Sequence, residues 1–176
     1  ALKRSGIPTI HYVSPSIWAW RGSRMQKIKR AVSRVLTLFP FEAPLYQRAG
    51  VPVSYVGHPL ADMLPEKPNR AAVRCRMRLP PNGRIVALLP GSRQSELQYM
   101  ADLFVQTARL VAEALPSTLF LAPFISRETR NRFEEALYRN QAADLPVTIL
   151  FGHAHDALMA ADVALVASGT ATLEAA

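Results

Sequence analysis

Two glycine-bearing turns carry the residues best suited to chemistry. The first, Leu89-Pro90-Gly91-Ser92-Arg93, follows the apolar run Ile85 to Leu89 and opens a helical pattern. Gly91 lets the backbone approach a ligand closely. Free N–H groups at a helix start favour an anion, and Arg93 adds a planar positive fork matched to phosphate. This is the chemistry of a phosphate or diphosphate site. An ordinary βα turn with a surface arginine has the same sequence, and the turn alone does not separate the two. The second turn is Ser168-Gly169-Thr170, followed by Ala171-Thr172-Leu173-Glu174. It combines small residues and N–H groups at a helix start with a carboxylate about one turn in. Glu174 there can accept both hydroxyls of a ribose, or merely complement the helix dipole. Together the two turns favour a nucleotide diphosphate-sugar over a bare phosphate.

Other candidates weigh less. His153, His155 and Asp156 lie close together, but their spacing matches no standard zinc set, so no metal is expected. His58, beside Pro59, is either a turn residue or a cleft residue, and His11 within a strand pattern reads as structural. Neither G-x-G-x-x-G nor G-x-x-x-x-G-K-[ST] occurs, which argues against a dinucleotide fingerprint and a P-loop. A basic segment holds Arg21, Arg24, Lys27, Lys29, Arg30 and Arg34, just after Trp18 and Trp20. Lys27, Arg30 and Arg34 would share one side of a helix. Such a face is either solvated or, with the tryptophans, an interfacial membrane contact.

Strand and helix patterns alternate along the whole chain, the signature of parallel α/β architecture. Apolar strands are expected at Ile7–Val13, Arg34–Phe39, Val53–Val56, Ile85–Leu89, Ser117–Ala122, Pro146–Phe151 and Val163–Val166. Helices are expected at 22–32, 41–49 and 70–78, after Ser126, and at 154–160. The longest follows Arg93, with Leu97, Met100 or Ala101, Phe104, Ala108, Val111 and Leu115 at helical spacing. Ser95 and Gln98 fit its capping box. Prolines 59, 65 and 68 mark a linker over 59–69. It separates a first unit, 1–58, from a second, 70–176.

The 176 residues carry a net charge of +8 and are 49% hydrophobic, enough for a substantial core. The charge raises nucleic acid, an anionic membrane surface or an acidic substrate as partners. No aromatic stacking pattern or nucleic-acid motif accompanies it, so a nucleic-acid-binding module ranks low. The single cysteine, Cys75, excludes an internal disulfide and suits a cytosolic protein. No apolar run reaches the roughly 18 residues of a membrane span. The chain lacks an initiator Met and its last residues read as an unfinished helix, so it is expected to be part of a longer protein.

Ser14-Pro15-Ser16-Ile17-Trp18-Ala19-Trp20-Arg21, Gly57-His58-Pro59, Leu89-Pro90-Gly91-Ser92-Arg93 and Ser168 to Glu174 resemble, in order, the lipid-A-disaccharide synthase family. The resemblance implies the glycosyltransferase B architecture: two Rossmann-like units facing across a cleft, both truncated in this chain. It implies an inverting hexosyltransferase that moves a 2,3-diacylglucosamine unit from UDP to a lipid monosaccharide phosphate, forming a β-1,6 disaccharide. The second unit would hold UDP through Gly91, Ser92, Arg93, Ser168, Gly169, Thr170 and Glu174. Arg93 would act catalytically by stabilising the leaving group, with no metal or other cofactor. Trp18, Trp20, Arg21, Lys27 and Arg30 would face the acceptor or the membrane. The family's candidate general base, an aspartate, precedes this region, so the fragment alone is expected to be inactive. A cytoplasmic enzyme on the inner-membrane surface is expected, with no nucleic-acid partner; a homodimer is left open. Other UDP-sugar enzymes of this architecture, such as an epimerase or a peptidoglycan glycosyltransferase, are the nearest alternatives.

Overall fold

The computed structural model describes residues 2–15 and 23–176. The chain divides into two compact units, Ala1–Glu66 and Lys67–Ala176.

The first unit opens with a 3-10 turn, Leu2–Ser5, then β1 (Ile10–Tyr12), α1 (Arg24–Ala31), β2 (Arg34–Thr37), α2 (Ala43–Arg48), β3 (Val53–Tyr55) and the one-turn α3 (Leu60–Met63). Its three strands are parallel in the order β1-β2-β3. Val35 on β2, Val32, Tyr46 and Val51 form its core, with Met25 and Ile28 packed against them from α1. The helical spacing of Met25, Ile28 and Val32 therefore sets which side of α1 is covered. Lys3 donates from Nζ to the carbonyls of Lys29 (2.9 Å) and Val32 (2.6 Å), satisfying the C-terminal end of α1. Strand β1 is shorter than its apolar run suggests, and Val13, at a positive φ of 71°, ends it. Arg34 was expected to share the basic side of α1. It lies on β2 instead, where its guanidinium donates to Ser54 Oγ at 2.8 Å.

The second unit comprises α4 (Arg70–Arg76), β4 (Ile85–Leu89), α5 (Gln94–Ala114), β5 (Leu119–Phe124), α6 (Arg127–Arg139), β6 (Val147–Phe151), α7 (Ala154–Ala160), β7 (Val163–Val166) and α8 (Ala171–Ala175). All four strands are parallel, in the order β6-β5-β4-β7. Period-two alternation sends side chains to both faces. Leu88, Phe120, Ala122 and Phe124 pack under α5 and α6, against Leu97, Ala101, Phe104, Ala108 and Phe133. Ile85, Ala87, Leu89 and Leu121 pack on the other face, against Val73 of α4 and Ala157 and Ala160 of α7. A sheet covered on both faces explains why its strands read as nearly continuous apolar runs. Both units are thus parallel α/β sheets of the Rossmann-like class expected from the sequence.

At the amino ends of β4 and β7 an ion pair pins the sheet. Arg74, 4% exposed, donates from Nε to Ala160 O (2.8 Å), from Nη1 to the carbonyls of Pro81 and Gly83, and from Nη2 to Asp162 (2.9 Å). The same Asp162 oxygen accepts the Ile85 N–H at 2.9 Å. Burial opposes ionisation of Asp162. The Ile85 N–H, Arg74 and Arg70 outweigh it and hold the carboxyl below its usual range.

Candidate nucleotide site at the β4–β7 switch point

Chain order along the sheet reverses between β4 and β7: β5 and β6 extend to one side of β4, and β7 lies on the other. Helices from the two strands leave on opposite faces, which opens a crevice at the strands' carboxyl ends. Val86 to Leu89 pair in register with Val163 to Val166, and the Ala167 N–H donates to Leu89 O at 2.9 Å. The Pro90-Gly91 and Ser168-Gly169 turns consequently emerge side by side. They border a cleft of about 300 Å³, lined also by Pro123 and Phe124 at the end of β5, by Ile125 just after it and by Ala154 of α7. That size is at the lower end for a small-molecule pocket.

All seven residues assigned to UDP from the sequence line this one cleft: Gly91, Ser92, Arg93, Ser168, Gly169, Thr170 and Glu174. Lys27 and Arg30 are exposed on α1 of the first unit. Trp18, Trp20 and Arg21 lie outside the described residues. His58 is a turn residue. Its Nδ1 accepts the Leu60 N–H at 3.2 Å, and its ring lies 5.6 Å from that of Phe39.

The start of α5 differs from the sequence expectation in a way that changes the site. The N-cap is Arg93, in extended conformation (φ −110°, ψ 147°), rather than Ser95, and the reaching residue is Glu96 rather than Gln98. An ionised carboxylate is a stronger acceptor than an amide, and it lies three residues after the extended one, where a capping box requires it. Glu96 Oε2 accepts the N–H groups of Ser92 (3.0 Å) and Arg93 (3.2 Å), and Oε1 accepts from Arg93 Nη1 at 2.7 Å. The Ser92 and Arg93 N–H groups expected to be free for an anion are therefore taken by Glu96. The Ser92 N–H foremost, with the Arg93 side chain and N–H, holds the Glu96 carboxyl below its usual range. Gly91 is needed for the same contact. At φ +136° it disfavours any side chain, and a Cβ there would lie 2.8 Å from both Cβ and Oε2 of Glu96.

Sequence reasoning passed over Glu96, although its position three residues after Arg93 was the available signal. It also grouped His153, His155 and Asp156, which the fold separates into two pairs. His153 Nδ1 lies 2.9 Å from Asp156 Oδ2, and Asp156 also pairs with Arg76. The hydrogen bond from His153 is the main reason the Asp156 carboxyl sits below its ordinary range. His155 Nε2 lies 3.4 Å from Glu174 Oε2, beside the cleft. Among the described residues, no group of three or more His, Cys, Asp or Glu is placed to hold a metal ion.

The arrangement offers an exposed guanidinium on one turn, a small-residue turn facing it across the switch point, and a carboxylate one helical turn further on. Comparison with known proteins agrees with the motifs. The family model described as lipid-A-disaccharide synthetase matches residues 1–176. The lipid-A-disaccharide synthase of Methylobacillus flagellatus is 60% identical over 99% of this chain, and that of an Azoarcus species is 59% identical over 99%. The enzyme of the same name from Chromobacterium violaceum is 57% identical over 99%. The chain spans 46%, 45% and 45% of the length of these relatives, respectively. With a family match along its full length and its two glycine-turn motifs bordering one cleft, this chain belongs to the lipid-A-disaccharide synthetase family.

Proposed function

We propose that this chain supplies the donor-binding core, and part of the acceptor-side unit, of an inverting glycosyltransferase. Its donor is UDP-2,3-diacylglucosamine, and its acceptor is a lipid monosaccharide phosphate. The observation that carries the reading is the β4–β7 switch point, where Arg93 and the Ser168-Gly169-Thr170 turn flank one cleft and Glu174 lines its wall. In this reading the diphosphate lies between the two turns, and Glu174 accepts from the ribose hydroxyls.

The acceptor's primary hydroxyl oxygen attacks the anomeric carbon of the donor sugar from the face opposite UDP. A C–O bond forms there as the bond to the β-phosphate oxygen breaks, and UDP leaves with that electron pair. The hydroxyl proton passes to a general base that we place outside this chain, so the chain alone would not turn over. Arg93 stabilises the charge that grows on the departing diphosphate, an effect largest in the transition state. In this reading Arg93 and backbone dipoles do this, with no metal.

The acceptor is acylated and phosphorylated, so the enzyme must meet a membrane surface. Among the described residues no helix is long and apolar enough to cross a membrane. Exposed Lys27 and Arg30 suit a peripheral contact with anionic lipid on the cytoplasmic face of the inner membrane. Donor choice tests the proposal. The full-length protein should release UDP from UDP-2,3-diacylglucosamine only when the lipid acceptor is present, and should ignore UDP-N-acetylglucosamine. Efficient turnover of UDP-N-acetylglucosamine instead would assign the site to a different sugar-nucleotide enzyme.

A further inference from the structure

The charge of the cleft does not suit a diphosphate as it stands. Its lining carries one guanidinium, Arg93, against two carboxylates, Glu96 and Glu174. Glu96 already engages donors a phosphate would use: the Ser92 and Arg93 N–H groups and one nitrogen of the Arg93 fork, Nη1. A carboxylate and a phosphate oxygen cannot both occupy those donors. The contacts that hold the Glu96 carboxyl low also keep it ionised at neutral pH, so it does not yield by taking up a proton.

We propose that Glu96 is an internal stand-in for the donor's diphosphate, competing for Arg93 and the turn N–H groups and thereby setting how tightly the site holds UDP. The proposal rests on the nucleotide reading above and adds an affinity-determining residue to it. The geometry makes the exchange easy. The Arg93 side chain is 76% exposed and that of Glu96 35% exposed, and exposed pairs of this kind are weak. A guanidinium in that position can trade a carboxylate for a phosphate without leaving solvent. The trade also runs in reverse. When UDP departs, Glu96 reoccupies the same donors, which favours product release over retention. The penalty grows with ligand charge, so it acts on the phosphates and leaves the nucleoside alone.

The test uses the full-length protein, titrated with UDP and with uridine. Glu96→Gln keeps an oxygen that can accept the turn N–H groups but removes the charge that competes for Arg93. UDP should then bind about two- to fivefold more tightly, the range of an exposed ion pair. Uridine affinity should not move, and melting should change little. Glu96→Ala is the second variant. It empties the donors altogether and should tighten UDP in the same direction, even where loss of the cap lowers the melting temperature. UDP binding that is weaker or unchanged in both variants, with wild-type binding intact, overturns the role of Glu96 and leaves the nucleotide site standing. If the wild-type protein binds neither UDP nor uridine, the nucleotide reading itself fails, and this proposal with it.

Discussion

Removing Arg93 separates a functional arginine from a structural one. In the structure its guanidinium contacts Glu96 Oε1 at 2.7 Å, as an i,i+3 pair on a surface helix start. With the side chain 76% exposed, the pair contributes about 0.3–0.5 kcal/mol to stability. Arg93→Ala should therefore shift the melting temperature by no more than a degree or two. Function should respond far more. The substitution leaves Glu96 and Glu174 in the cleft with no facing cation, so the diphosphate loses a charge-assisted hydrogen bond worth about 1.5–3 kcal/mol. Stabilisation of the leaving group is lost as well, and turnover should fall by about a hundredfold or more. Arg93→Lys should recover only part of it, because a point charge does not reproduce a bidentate fork. Steady-state kinetics of the full-length enzyme, run beside melting curves, read both effects. A rise confined to the Michaelis constant, with turnover unchanged, would mean uniform binding rather than transition-state stabilisation. Near-normal turnover with a collapsed melting temperature would refute the reasoning, since the arginine would then be holding the α5 start together and no more.

Four further outcomes follow from particular residues. Glu174→Ala should weaken UDP binding by about 1–3 kcal/mol and erase the preference for UDP over its 2′-deoxy analogue; an unchanged preference in calorimetric titration would remove Glu174 from the ribose. Arg74→Met should cost about 3 kcal/mol in denaturant unfolding, the low end for a broken buried pair, because its partner's side chain is 38% exposed. Asp162 has a depressed folded-state carboxyl. Its contribution is therefore complete above the unfolded value near 4 and is lost as pH falls through the lower folded value. Asp162→Asn should lower stability at neutral pH and flatten the acid limb of a melting-temperature profile; an unaltered acid limb would show the pair is not the titrating element. Charge reversal at Lys27 and Arg30 should reduce sedimentation with anionic vesicles, as should added salt; sedimentation indifferent to both would leave the face as solvated surface.

Much of this protein is determined locally and is legible in the chain. The apolar run Ile85–Leu89 becomes β4 at the same bounds, and the spacing of Leu97, Ala101, Phe104 and Ala108 becomes the buried side of α5. These patterns are readable because the period of burial depends on the residue's own element. The two glycine turns are legible for the same reason, since a turn is a matter of four or five neighbouring residues. What the residues could not declare is adjacency. That β7 pairs with β4 rather than β6 places Ser168 beside Gly91, and this depends on which crossover buries the most surface, a property of the whole unit. The bond from Ile85 to Asp162 joins residues 77 apart, and that from Arg74 to Asp162 joins residues 88 apart. The pairing of His155 with Glu174 likewise arises only because α7, after β6, and α8, after β7, meet. Glu96 is the instructive intermediate case. Its distance from Arg93 is local, yet its choice over Gln98 depended on where the chain leaves β4, and the sheet sets that exit. Residue types thus decided which turns and side chains were on offer, while the strand order decided that the two glycine turns share one cleft. The backbone path out of β4 decided that the Glu96 carboxylate sits on the Ser92 and Arg93 N–H groups.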